Sequence, residues 1–124
     1  MTPTFYICKH CGKIIAMVKP TAVPTMCCGE PMTELVAGTT EAAREKHIPV
    51  YTVTGSTVEV TVGSVEHPML EAHYIEWVLL ETRQGIQVKA LAPGQAPKAT
   101  FCLAEGDAVE AAYAYCNLHG LWKG

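Results

Sequence analysis

The chain is poor in aromatic residues, with Phe, Trp and Tyr at only 7%, so a core has to be built mainly from Val, Ile, Leu and Ala. It is also short of positive charge. Nine Lys and Arg against twelve Asp and Glu leave a formal net charge of −3. No Lys/Arg cluster offsets that balance, which argues against a nucleic-acid-binding surface. Long apolar runs are missing too, because charged or polar residues interrupt every candidate, so no segment reads as a bilayer span. The opening residues Met1-Thr2-Pro3-Thr4 lack the basic and apolar regions of a secretory signal, and a cytoplasmic protein is the expectation. Neither an internal repeat nor a low-complexity segment appears. What is there is 49% hydrophobic residues in 124, enough for one modest domain with a small appendage.

Six cysteines in a reducing compartment suggest metal binding or redox work rather than structural disulfides. Four of them form a pattern. Cys8-Lys9-His10-Cys11-Gly12 is a turn in which backbone N–H groups can point at two sulfurs, with Gly12 supplying a positive φ. Met26-Cys27-Cys28-Gly29-Glu30-Pro31-Met32 brings a second pair, and Cys8, Cys11, Cys27 and Cys28 can close one four-thiolate site. Adjacent cysteines cannot present their sulfurs as freely as a C-x-x-C turn, so one S–metal–S angle should open. Zinc and iron both accept four thiolates, and the residues do not separate them. His10, inside the turn, reads as a solvent-facing bystander. Short β-like runs over Phe5–Ile7 and Lys13–Val18 accompany this segment. Ala37–Arg44, small and polar without periodicity, reads as a linker with a boundary near residue 38. So small a first part needs a staple, and a metal would supply one.

The second part reads as β throughout. Val50–Thr54 and Thr57–Val62 flank Gly55-Ser56, and Val58, Val60 and Val62 alternate with Glu59 and Thr61. Tyr74–Glu81 and Ile86–Leu91 flank a second turn. Thr100–Leu103 and Val109–Cys116 follow; the alanines of the latter allow a helix, but Val109, Ala111, Tyr113 and Tyr115 alternate, and a strand is the expectation. About seven short strands predict an antiparallel sandwich. Cys102, in the apolar run Phe101-Cys102-Leu103, is expected to be a buried structural thiol; Trp77, Tyr113 and Tyr115 read as core, and Met69 as packing.

Histidines punctuate these strands. His47, His67 and His73 lie in short polar breaks, and Cys116-Asn117-Leu118-His119-Gly120 places a thiolate and an imidazole with two residues between them, around a turn that Asn117 and Gly120 suit. Four imidazoles and one thiolate are one ligand more than tetrahedral zinc takes. Five ligands with a sixth position open suit iron, and an open position means chemistry.

These motifs together resemble the desulfoferrodoxin family of two-iron superoxide reductases, over essentially the whole chain. The cysteine motifs resemble desulforedoxin and the first domain of desulfoferrodoxin. Glu45-Lys46-His47-Ile48-Pro49-Val50, Gly63-Ser64-Val65-Glu66-His67-Pro68-Met69, His73-Tyr74-Ile75-Glu76-Trp77 and Cys116-Asn117-Leu118-His119-Gly120 look like its catalytic-domain motifs. The resemblance implies a mainly β protein. A small desulforedoxin-like Fe(Cys)₄ domain over residues 1–37 would precede an immunoglobulin-like antiparallel sandwich over 38–124. It implies a second iron with His47, His67, His73 and His119 in a plane and Cys116 as axial ligand, so two irons per chain. It further implies reduction of superoxide to hydrogen peroxide, with Lys46 steering the anion and organising the protonating water, and Glu45 able to take the sixth position at rest. A rubredoxin-like electron donor and a homodimer are the family's expectations. The competing readings are a non-catalytic two-iron electron carrier and a zinc-stabilised module.

Overall fold

The computed structural model describes residues 2–124, which divide into two compact units, Thr2–Val36 and Ala37–Gly124. In the first, β1 (Thr4–Ile7) pairs antiparallel with β2 (Ile14–Met17) on one side and with β5 (Thr33–Leu35) on the other. The two-residue ladder of β3 (Met26–Cys27) and β4 (Glu30–Pro31) carries the second cysteine pair. Pro3, Phe5, Cys8 and Met32 are its buried residues, a core too small to hold such a unit without help.

The second unit opens with one helical turn, α1 (Arg44–His47), inside the stretch that composition predicts to be linker at its start. No side chain caps this turn. The turn closes locally through Ile48 N–H to the Arg44 carbonyl at 2.9 Å, and the rest of the unit supports it through Val65 N–H to the Glu45 carbonyl at 2.9 Å. Seven strands follow: β6 (Pro49–Thr54), β7 (Thr57–Val62), β8 (Ile75–Thr82), β9 (Gly85–Ala90), β10 (Lys98–Cys102), β11 (Val109–Cys116) and β12 (Gly120–Lys123). They make a three-stranded sheet in the order β10-β7-β6 and a four-stranded sheet in the order β12-β11-β8-β9, every pairing antiparallel. Counted from β6, the first, second and fifth strands share one sheet, and the third, sixth and seventh share the other with the fourth beside the third. This is an immunoglobulin-like arrangement.

The core lies between the sheets. Val58, Val60 and Val62 of β7 are completely buried and meet Phe101 of β10 and Val78, Leu80, Ala112 and Ala114 of β8 and β11. Each such valine contributes about 1.5–3 kcal/mol of apolar burial. Tyr113 and Tyr115 are buried on the opposite face of β11, Tyr115 stacked on the half-buried Trp77 at 5.6 Å. Met69 packs against the core and its sulfur accepts the Ile75 N–H at 3.4 Å. Cys102 departs from expectation and is exposed. In β10 the period of two turns Ala99 and Phe101 inward and leaves Lys98, Thr100 and Cys102 outside, so the hydrophobic neighbours of Cys102 do not bury it. Among the described residues, no helix is long and apolar enough to cross a membrane.

Candidate metal centres

In the first unit the sulfurs of Cys8, Cys11, Cys27 and Cys28 all lie within 4.8 Å of one another. The turn after β1 starts the cluster: Gly12 N–H bonds to the Cys8 carbonyl at 2.8 Å, Gly12 takes φ 84°, and the Cys11 N–H reaches the Cys8 sulfur at 3.5 Å. That N–H is the main reason the Cys8 thiol drops to about 6. Cys28, crowded first by Cys11 and then by Cys8, is pushed up to about 12, and Cys27 is raised by the same two neighbours. The sulfurs of Cys11 and Cys27 are 3.7 Å apart, and those of Cys27 and Cys28 4.0 Å. Four thiols so close cannot all ionise without a cation between them, and a metal removes that conflict. The adjacent pair has a visible cost in the backbone. Cys28 is the one described non-glycine residue in the left-handed region, at φ 52°. Only such a kink lets consecutive side chains turn toward one point. His10 is exposed and outside the cluster.

In the second unit four loops deliver the histidines. His47 ends α1, His67 follows β7, His73 precedes β8, and His119 sits in the turn between β11 and β12, whose Cys116 is wholly buried. The four rings form a square. Neighbouring centroids are 4.6 Å (His47–His67), 4.8 Å (His67–His73), 5.0 Å (His73–His119) and 4.9 Å (His119–His47), each pair within about 15° of perpendicular. The diagonal His47–His73 is 6.5 Å. Ligand atoms of His47, His67, His73 and Cys116 all lie within 4.8 Å of one another, and His119 Nδ1 is 3.1 Å from His47 Nε2 and 3.8 Å from the Cys116 sulfur.

The hydrogen atoms can be placed by chemistry. His47 Nδ1 contacts the Ala43 carbonyl and His67 Nδ1 the Pro68 carbonyl, each at 2.7 Å. A carbonyl only accepts, so both Nδ1 atoms carry the proton and both Nε2 atoms present lone pairs. Yet these two Nε2 atoms sit 3.2 Å apart, lone pair against lone pair. Two nitrogens each about 2.1 Å from one cation at a right angle would be about 3 Å apart. His73 Nε2 is buried with no partner at all. Unpartnered lone pairs converging on one point are a donor set that a single metal ion would satisfy, and the residues fit the group.

Electrostatics keep the imidazoles neutral. Burial pulls His67 down to about 4, aided by the positive charge its histidine neighbours would carry; His47 and His73 are lowered by burial as well. Burial also raises the Cys116 thiol, while the N–H groups of Leu118 and His119 pull it back. Lys46 and Glu45 are exposed beside His47, and the Lys46 charge contributes to the lowering at both His47 and His73, so its field reaches across the square. His73 and His119 are only half-buried, which leaves the square accessible on their side.

A family model for desulfoferrodoxin matches residues 39–124. The chain is 47% identical over 118 residues to a desulfoferrodoxin of Nitratidesulfovibrio vulgaris, covering 95% of this chain and 92% of that one. The chain belongs to the desulfoferrodoxin family. A desulfoferrodoxin homolog of Archaeoglobus fulgidus is 45% identical, with 95% and 93% covered. Among solved structures, the superoxide reductase from Treponema pallidum superposes with a TM-score of 0.86 at 44% identity, covering 100% of this chain and 99% of that one. The superoxide reductase (1Fe-SOR) from Giardia intestinalis gives 0.55 at 33% identity, covering 64% of this chain and 95% of that one. Desulfoferrodoxins are two-iron proteins, and this member provides two separate ligand sets, one of four cysteines and one of four histidines with a cysteine.

Two contributors had no distinct signal in the sequence. Trp122 lays its ring 5.0 Å from that of His47 and donates its indole N–H to the His119 carbonyl at 3.0 Å, so it braces two corners of the square. Asn117 reaches away from its own turn to Ala72 and Tyr74. Neither residue type at those positions distinguishes a brace from ordinary core or turn.

Proposed function

We propose that this desulfoferrodoxin is a superoxide reductase: superoxide, one electron and two protons give hydrogen peroxide, with no dismutation. The observation that carries the reading is the square of four imidazoles closed by the Cys116 thiol. Tetrahedral zinc does not use such a set, and a pure electron carrier does not need an accessible side. His47, His67, His73, His119 and Cys116 would hold one iron, and Cys8, Cys11, Cys27 and Cys28 the other. Residues 1–37 thus form a desulforedoxin-like domain and 38–124 the catalytic one. Iron bound at the second centre would supply the one-electron redox change and Lewis acidity toward superoxide.

The remaining work falls to side chains. Lys46 gathers the anion against the net charge of −3. At roughly 6 Å and an effective dielectric near 20, one such attraction is about 3 kcal/mol before screening. Lys46 also orders the water that delivers the two protons, and the Glu45 carboxylate would be available as a further ligand at rest. The three buried or partly buried imidazoles stay neutral near pH 7 and remain available as ligands. Leu118 and His119 N–H groups stabilise the Cys116 thiolate that the site requires. A rubredoxin-like protein would return the electron, in a cytoplasmic homodimer.

Metal analysis and a visible spectrum of the purified protein, followed by rapid mixing with superoxide, test this. Two iron per chain, thiolate-to-iron bands from both centres, and oxidation of the reduced second centre by superoxide within milliseconds are expected. Zinc without visible bands overturns the assignment, and iron that superoxide does not oxidise leaves only the carrier.

A further inference from the structure

His47 and His67 are oriented through their own rings, each by an Nδ1–H bond to a backbone carbonyl. Among the described residues His73 has no ring bond of this kind to backbone, and its buried Nε2 is without a partner. Its backbone is bridged to Leu70, His73 N–H to the Leu70 carbonyl at 3.1 Å and Leu70 N–H to the His73 carbonyl at 2.9 Å, and Asn117 ties this segment to the strand end that carries the other ligands. Asn117 donates its side-chain Nδ2–H to the Ala72 carbonyl at 3.0 Å and accepts the Tyr74 N–H on Oδ1 at 3.0 Å. Its own backbone N–H bonds to the Tyr74 carbonyl at 3.2 Å. The three bonds grip the chain on both sides of His73. Asn117 itself stands directly after Cys116 and two residues before His119, where the β11–β8 pairing slips between Tyr115 and Cys116. The slip breaks the regular ladder at the point where the ligands must be placed, and the Asn117 amide takes over the tie that the ladder no longer makes.

We propose that Asn117 is a positioning residue of the second centre. Its amide fixes the His73 segment against the strand end carrying Cys116 and His119, so that three of the five ligands keep one spacing before metal arrives. The inference rests on the ligand assignment above. The chemistry demands an amide: Ala72 presents an acceptor and Tyr74 a donor, and Asn117 answers both with one group. Aspartate at 117 would keep the Tyr74 bond but set a carboxylate oxygen against the Ala72 carbonyl. Alanine would lose both side-chain bonds and keep the backbone one. Outer-shell partners of this kind typically carry 10–100-fold in metal affinity.

The test uses oxidised, iron-loaded full-length protein challenged with EDTA. Iron loss is followed at the thiolate-to-iron absorption of the second centre, with the four-cysteine centre as internal reference. Asn117→Ala should lose the second iron about 10–100 times faster than wild type, with that band shifted or broadened and the four-cysteine spectrum unchanged. Asn117→Asp should fall between the two, because one bond survives. Hydrogen exchange in the iron-loaded protein should show the Tyr74 amide released in Asn117→Ala and still protected in Asn117→Asp. The inference is overturned by an Asn117→Ala protein with wild-type band and wild-type loss rate. It is equally overturned if both centres fail together, which marks a general folding defect. A wild-type protein that never fills the second centre refutes the ligand assignment itself, a separate outcome.

Discussion

Gly63 connects the sheet to the turn that carries Lys46 and His47, and a single methyl group there tests that connection. Gly63 is buried at φ 85°, and a Cβ on it would sit 2.4 Å from the Val65 carbonyl oxygen, 2.7 Å from that of Glu45 and 2.8 Å from the Lys46 carbonyl carbon. All three are backbone atoms, so no flexible side chain can yield. Left-handed backbone costs a residue with a Cβ about 1–2 kcal/mol, and forcing a methyl group into packed backbone adds about 1–3 kcal/mol. Gly63→Ala should therefore destabilise the second unit by roughly 2–5 kcal/mol. Gly55 is the control. It sits at φ 61° in the β6–β7 turn with nothing within 4 Å of an added Cβ, so Gly55→Ala carries only the first cost. Urea denaturation followed by tryptophan fluorescence reads this unit alone, because both tryptophans, Trp77 and Trp122, lie in it. The gap between the two variants should be about 1–3 kcal/mol at unchanged m. The Gly63→Ala protein should also react more slowly with superoxide, since relieving the clash moves Glu45 and Lys46 relative to His47. Equal destabilisation by the two substitutions would refute the reasoning, because the close approach would then be of no consequence.

Cys28→Ser should abolish the four-cysteine absorption and leave reaction with superoxide intact when an artificial reductant supplies electrons, since every ligand of the second centre lies beyond Arg44; a parallel loss of activity would contradict two independent centres. Cys116→Ser should remove the thiolate-to-iron band of the second centre and its turnover, whereas a retained band would point to Cys102 as the thiolate. Lys46→Ala should keep both irons but slow superoxide capture by tens-fold with a shallower salt dependence, as measured by stopped flow at several ionic strengths; an unchanged rate and salt slope would make Lys46 an ordinary surface lysine. For the metal-free protein, His67 sits at about 4 when folded against an ordinary 6.5, so the unfolded chain binds more protons between those values. Stability should be fully present above pH 6.5 and fall by up to roughly 3 kcal/mol as pH drops through 4, which urea titration at stepped pH checks.

Much of the fold was legible because sheet faces write a period of two. Val58, Val60 and Val62 alternate with Glu59 and Thr61, and they became the inner face of β7 as that alternation requires. Val109–Cys116 allowed a helix by its alanines, and its alternating pattern decided correctly for β11. The shortest elements were not legible. α1 has no side-chain cap and no apolar stripe; its one local turn closes through Ile48 N–H to the Arg44 carbonyl, and a bond from distant Val65 to the Glu45 carbonyl supports it. β12, four residues directly after a turn, leaves no room for a pattern. Cys102 misled because local hydrophobicity says nothing about which side of a strand a residue takes. At the candidate site, the residue types and their order pointed to nine groups, and the structure gathers them into one cluster of four cysteines and one of four histidines with Cys116. Asn117 and Trp122 stayed hidden because their roles depend on partners far along the chain, Ala72 and Tyr74 for one and His47 for the other.

The central claim is reduction without dismutation, and product stoichiometry tests it most directly. Iron-loaded protein, kept reduced by excess ascorbate, is given a known dose of superoxide at a concentration where spontaneous dismutation is negligible, and peroxide and oxygen are both measured. One hydrogen peroxide per superoxide with no oxygen released is the expected result. Half a peroxide and half an oxygen per superoxide would contradict it.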